Sequence, residues 1–130
     1  MGNPEFAVPS LKNIVESENS LLAVVSNPSK PLGRNKAKKI TKVGEFAESQ
    51  NIPLFQPQTL NDPKFLKEMN TLNPDYFLVV AFKILPTSLL TIPEKGSINL
   101  HASLLPQYRG AAPIQRAIMN GERETGLTTF

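Results

Sequence analysis

The residues most able to do chemistry in this chain lie between Gly96 and Pro106, which read Gly-Ser-Ile-Asn-Leu-His-Ala-Ser-Leu-Leu-Pro. If Ser97–His101 is a strand, Asn99 and His101 point to the same side, because side chains alternate along extended backbone. A neutral imidazole moves protons near neutrality. An asparagine amide donates to a developing oxyanion, a contribution worth a few kcal/mol in acyl-transfer enzymes. The pair suits acyl transfer between neutral groups, with His101 handling protons and Asn99 holding the tetrahedral oxygen. Spacing alone leaves a blander reading open, in which His101 is a structural hydrogen-bonding residue. His101 is the only histidine and there is no cysteine. That excludes a multi-histidine or thiolate metal site and a disulfide framework, and no metal is expected.

The segment after the pair strengthens the catalytic reading. Ser103-Leu104-Leu105-Pro106 is a tight apolar loop, and Tyr108-Arg109-Gly110-Ala111-Ala112-Pro113 leads into a helical pattern. Gly110 and the small Ala111 and Ala112 permit close backbone approach, and a helix start offers unpaired N–H groups.

These residues need a scaffold, and the apolar pattern supplies one. Leu21–Val25 and Tyr76–Phe82 are continuous apolar runs, as strands buried on both faces should be. Ser97–His101 alternates, Leu127–Phe130 begins another strand after Gly126, and Ile52–Phe55 is a weak candidate interrupted by Pro53. Helical faces recur between them: Val8, Leu11, Ile14 and Val15; Val43, Phe46, Ala47 and Gln50, with Thr41 as N-cap; Phe65, Leu66, Met69 and Leu72 after Asp62-Pro63; and Ile114, Ala117 and Ile118 after Pro113. Alternating strands and helices predict an α/β domain over residues 1–130, with a Rossmann-like, mostly parallel sheet flanked by helices. The first helical pattern starts almost at Met1 with no strand before it, and the last apolar run stops at Phe130. The chain is therefore expected to be part of a larger protein, with a domain incomplete at both ends.

Hydrophobic residues at 40% and charged residues at 19% allow a packed core and argue against disorder. No apolar run reaches membrane-spanning length and no signal-peptide pattern opens the chain, so a cytoplasmic protein is the expectation. The formal net charge is only +3, but it is unevenly spread. Between Asn19 and Gly44 there is no acidic residue, whereas Lys30, Arg34, Lys36, Lys38, Lys39 and Lys42 are all basic. A mobile cationic segment beside a ligand site would suit the phosphates of a large RNA. Taken alone it reads first as a solvated loop.

Asn99-Leu100-His101-Ala102-Ser103-Leu104-Leu105-Pro106, with Tyr108-Arg109-Gly110, resembles the signature of the folate-dependent formyltransferases. Met1-Gly2-Asn3-Pro4-Glu5-Phe6-Ala7-Val8-Pro9, the Gly33-Arg34 pair and Ala111-Ala112-Pro113-Ile114-Gln115 narrow the resemblance to the methionyl-tRNA formyltransferase family, along the whole chain. In the opening motif threonine is more usual than Asn3. The resemblance implies transfer of formyl from 10-formyltetrahydrofolate to the amine of initiator methionyl-tRNA. It implies Asn99 and His101 as catalytic residues, with an aspartate in a motif beyond Phe130. It implies folate contacts from Ser103, Leu104, Leu105 and Pro106, and a pterin wall from Phe82, Lys83, Ile84 and Leu85, where Lys83 stands in place of the usual glycine. It implies tRNA contacts from Arg34, Lys36, Lys38 and Lys39, a C-terminal tRNA-binding domain outside this chain, and a monomer. Two rivals remain. One is a relative acting on a sugar-nucleotide or glycinamide ribonucleotide amine; the other is a non-catalytic RNA- or nucleotide-binding α/β module.

Overall fold

The computed structural model describes residues 1–32 and 37–130, with side chains described outside 30–38. Its framework is strands β1 (Val24–Val25), β4 (Leu54–Phe55), β5 (Phe77–Val80), β6 (Ser97–His101) and β7 (Thr128–Thr129), separated by helices. β1 runs parallel to β4, β5 runs parallel to β6, and β7 closes antiparallel on β6. The expected parallel α/β architecture is therefore present.

Met1 and Gly2 occupy the slot between β1 and β5. Gly2 bridges Val80 in parallel, its N–H donates to the Val25 carbonyl at 3.0 Å, and the Val80 N–H donates to the Met1 carbonyl at 2.9 Å. This corrects the expectation that nothing strand-like precedes the first helix: a two-residue stub joins the two halves of the sheet. Glycine is required there, since a Cβ on Gly2 would lie 2.9 Å from the Val80 carbonyl oxygen and 3.0 Å from the Ala7 Cβ. The Met1 nitrogen donates to the Leu78 carbonyl at 2.6 Å.

Period-two alternation divides the core. Val24 faces Ala7, Leu11, Val43, Ala47 and Val80, the side covered by α1 (Val8–Val15) and α2 (Lys42–Ser49). Its neighbour Val25 faces Leu60, Phe65, Met69, Phe77 and Leu89, the side covered by α3 (Pro63–Thr71) and α4 (Thr87–Leu90). Thr41 caps α2 by accepting from the Gly44 N–H, and the Asp62 carboxylate accepts from the Lys64 and Phe65 N–H groups ahead of Pro63. Both caps satisfy donors that a helix start leaves orphaned.

Four details depart from the sequence reading. The Leu21–Val25 and Tyr76–Phe82 runs are strand only at Val24–Val25 and Phe77–Val80. Ala81 leaves the sheet in a left-handed conformation at φ 47°, which ends β5. The helix after Pro113, α5 (Pro113–Met119), buries Ala117 but leaves Ile118 72% exposed. The basic segment contains an antiparallel pair, β2 (Lys30–Leu32) with β3 (Ala37–Lys39), where Lys30 faces Lys39. Among the described residues, no helix is long and apolar enough to cross a membrane.

Candidate active site

β6 carries the site. Its register sets Ser97 beside Phe77 and Asn99 beside Val79. Paired residues in a sheet share a side, so Asn99 and His101 lie on the Phe77 side, the side of α4. They stand at the carboxyl end of a parallel strand, where open α/β sheets bind ligands. Both are half-buried. The Asn99 backbone is fully used, its N–H donating to the Phe130 carbonyl at 2.7 Å and its carbonyl accepting from the Phe130 N–H at 3.1 Å. Among the described residues its side-chain amide has no partner, so its two donors are available to a ligand.

His101 is oriented by the loop that follows. Its Nε2 lies 3.0 Å from the Tyr108 carbonyl oxygen. A carbonyl only accepts, so Nε2 carries the proton and Nδ1 of the neutral ring keeps its lone pair. No carboxylate among the described residues forms an ion pair with the ring.

The Ser103–Pro106 loop is tied down at several points. Ser103 is fully buried, and its hydroxyl donates to the Gln107 carbonyl at 2.7 Å. The Thr128 hydroxyl donates to the Ser103 carbonyl at 2.7 Å and accepts from the Leu105 N–H at 3.1 Å. Leu104 packs over Gly126 so closely that a Cβ there would lie 2.5 Å from the leucine Cδ2. Thr128 faces His101 across the strand pair, so β7 fixes the loop and the histidine together. Leu104 remains 51% exposed, Pro106 is exposed and Leu105 is half-buried.

The second expected wall follows β5. Phe82 and Leu85 pack against the Leu89 core cluster, whereas Lys83 is exposed and Ile84 is 97% exposed. Phe82 and Leu85 thus anchor the loop, and Ile84 and Leu104 are the apolar side chains it and the neighbouring loop leave free for a ligand. Ala81, Tyr108 and Ala112 all adopt left-handed backbone, at φ 47°, 55° and 54°. Strain of this kind, at about 1–3 kcal/mol each, concentrates at functional sites.

Of the expected RNA contacts, Arg34 and Lys36 lie outside the described residues. Lys38 and Lys39 fall on β3, and Lys39 is exposed. Lys42 belongs to the first turn of α2 and pairs with Glu45 at 2.6 Å; both groups are open to solvent, so the pair adds little stability.

Sequence reasoning missed the Tyr108 carbonyl and Thr128. Neither announces itself by residue type, and only the folded loop brings them to His101 and Ser103. It also missed the role of Asn3, whose side-chain oxygen accepts from the Asn27 N–H at 2.7 Å and joins the opening motif to the end of β1. Gln56 donates to the Asn27 carbonyl at 3.1 Å, extending that polar seam along the carboxyl ends of the strands. Two surface depressions, one around Phe55, Gln56, Asp62 and Phe65 and one around Glu5, Val8 and Lys12, are lined by neither Asn99, His101 nor the Ser103–Pro106 loop.

Comparison with known proteins places the whole chain among formyltransferases. A protein from Caldanaerobacter subterraneus subsp. tengcongensis named methionyl-tRNA formyltransferase is 53% identical over 132 residues, matching 100% of this chain and 43% of its own length. A protein of the same name from Bacteroides thetaiotaomicron is 46% identical over 130 residues, with 40% of its length covered. The chain thus spans about two-fifths of these curated relatives. Among solved structures, the phosphoribosylglycinamide formyltransferase of Anaplasma phagocytophilum superposes with a TM-score of 0.74 at 22% identity, covering 99% of this chain and 60% of that one. The enzyme of the same name from Bacillus halodurans gives 0.73 at 18% identity, covering 98% and 67%. At those identities the superpositions speak to fold alone. The family description "Formyl transferase" matches residues 1–130 from end to end, and with Asn99, His101 and the pinned Ser103–Pro106 loop together at one sheet edge, the chain belongs to the formyl transferase family.

Proposed function

We propose that the protein to which this chain belongs transfers the formyl group of 10-formyltetrahydrofolate to the amine of initiator methionyl-tRNA, in the cytoplasm, as a monomer and without a metal. The observation that carries this reading is an Asn99 amide with no partner among the described residues, on the same strand face as a His101 ring whose tautomer is set, beside an apolar loop held in place by Thr128. The methionyl-tRNA formyltransferase name borne by relatives about half identical to this chain supports the choice of acceptor.

The substrate surfaces fit a folate. Leu104 and Ile84 offer exposed apolar area that a pterin can cover, while Ser103, Leu105 and Pro106 shape one side and Phe82, Lys83 and Leu85 the other. The amine nitrogen attacks the formyl carbon and the carbonyl oxygen becomes an oxyanion, which the Asn99 amide stabilises. His101 takes the proton from the attacking amine and passes it to the leaving folate nitrogen as the old C–N bond breaks. The aspartate implied by the family resemblance would stabilise by its charge the imidazolium that forms, since Nε2 is held by the Tyr108 carbonyl and Nδ1 takes the proton. Arg34, Lys36, Lys38 and Lys39 contact the phosphates of the tRNA, and a C-terminal domain shares the RNA. Residues 1–130 alone are expected not to turn over.

The experiment is an acceptor comparison with the complete protein. Formyl-labelled donor should label methionyl-tRNA and leave glycinamide ribonucleotide and sugar-nucleotide amines unlabelled. Efficient labelling of a small amine with none on tRNA would assign the protein to the other branch.

A further inference from the structure

Tyr108 holds His101 through its backbone and is itself held through its side chain. Its carbonyl accepts the His101 Nε2 proton at 3.0 Å from a residue with φ 55°, a backbone region bulky side chains rarely enter. The ring hydroxyl donates to Glu122 and accepts from the Asn120 side-chain amide at 3.1 Å. Asn120 is the C-cap of α5, so the clamp ties the strained loop to the end of a helix. Its hydrogen bond to Glu122 holds the Tyr108 phenol above its ordinary pKa, so the hydroxyl keeps its proton at neutral pH. On the preceding side, the Ser103 hydroxyl fixes the Gln107 carbonyl.

We propose that Tyr108, clamped by Glu122 and Asn120, is a positioning residue for His101: its carbonyl locks the Nε2–H tautomer and leaves Nδ1 as the basic nitrogen available to substrate. The consequence for catalysis rests on reading His101 as the proton-transfer group; the tautomer itself does not.

His101 is the single histidine, so nitrogen-15 histidine labelling of this chain yields one imidazole whose tautomer and proton exchange are read directly by NMR, under conditions where the ring is neutral. The wild type should show the Nε2–H form alone. Tyr108→Phe should show both tautomers and an Nε2 proton exchanging about tenfold faster, the scale of one net hydrogen bond. Glu122→Gln keeps an acceptor and should match wild type, whereas Glu122→Ala should reproduce Tyr108→Phe. Because Glu122 is exposed, that variant carries the test should Tyr108→Phe not fold. An Nδ1–H or mixed ring in the wild type overturns the proposal, as does an unchanged ring in both clamp variants. In the complete enzyme, Tyr108→Phe should lower kcat about tenfold at constant KM for the formyl donor, the signature of a group that acts in the transition state. A rise in KM alone would make Tyr108 a binding residue and refute its positioning role. Loss of formyl transfer in the wild type would remove the functional reading and leave the tautomer result standing, so the two fail separately.

Discussion

Removing one hydroxyl should loosen the Ser103–Pro106 loop. Thr128→Val keeps the shape of the side chain and deletes both the donor to the Ser103 carbonyl, at 2.7 Å, and the acceptor for the Leu105 N–H, at 3.1 Å. Each bond contributes roughly 0.5–1.5 kcal/mol net, and more where the abandoned partner stays dry. Thr128 is half-buried, so water recovers part of the loss, and a total of about 1–2 kcal/mol is expected. With a urea dependence of roughly 1–3 kcal/mol/M for a domain of this size, the unfolding midpoint should fall by roughly 0.3–2 M at constant slope. A folate analogue that needs the loop ordered should bind about 5- to 30-fold more weakly, the same free energy read as an equilibrium constant. Thr128→Ser retains the hydroxyl and should stay near wild type in both assays. An unchanged midpoint together with unchanged affinity in Thr128→Val would show that β7 does not hold the loop, and the positioning argument would fall.

Three further expectations rest on the same packing and charges. Leu89, fully buried between α4 and β5, should cost about 2–5 kcal/mol on replacement by alanine; a loss below about 1 kcal/mol by urea denaturation would mean that α4 is not docked. In the polypeptide beginning at Met1, burial lowers the α-amine pKa from 8.0 to about 6. The unfolded chain then binds that proton more tightly, so stability should rise by roughly 2–3 kcal/mol as pH climbs from below 6 to above 8. Nα-acetylation should remove that component, and a pH dependence identical with and without the acetyl group would refute it. Replacing Arg34, Lys36, Lys38 and Lys39 together by alanine should weaken tRNA binding by the complete protein and flatten its salt dependence, with folate binding unchanged; an unaltered salt slope would mean that the segment is merely solvated.

The parts of the fold that sequence resolved well are those where burial and spacing speak together. β6 was legible to the residue because Ser97–His101 alternates after a glycine. The caps at Thr41 and Asp62 were legible because a small oxygen-bearing side chain ahead of an apolar face has few other uses. Tyr76 joined the β5 reading on hydrophobicity, but its ring lies under Lys95, outside the strand. α4 spans four residues, too short for a helical period to register. The β2–β3 pair is rich in lysine and contains Pro31, so it carries no apolar alternation to read. Met1–Gly2 escaped notice because two residues show no pattern, although their backbone groups bridge the sheet. At the site, residue types pointed to Asn99, His101 and the Ser103–Pro106 loop. Backbone contacts such as the Tyr108 carbonyl are invisible at that level, since every residue has one.

The most direct test of the central claim is the single-turnover rate of formyl transfer to methionyl-tRNA by the complete protein carrying Asn99→Ala or His101→Ala. Each should fall by roughly a hundredfold or more, the scale of losing an oxyanion donor or a proton-transfer group, with folding intact by circular dichroism. A rate near wild type in either variant would contradict the role assigned to that residue, and near-normal rates in both would move the chemistry away from β6.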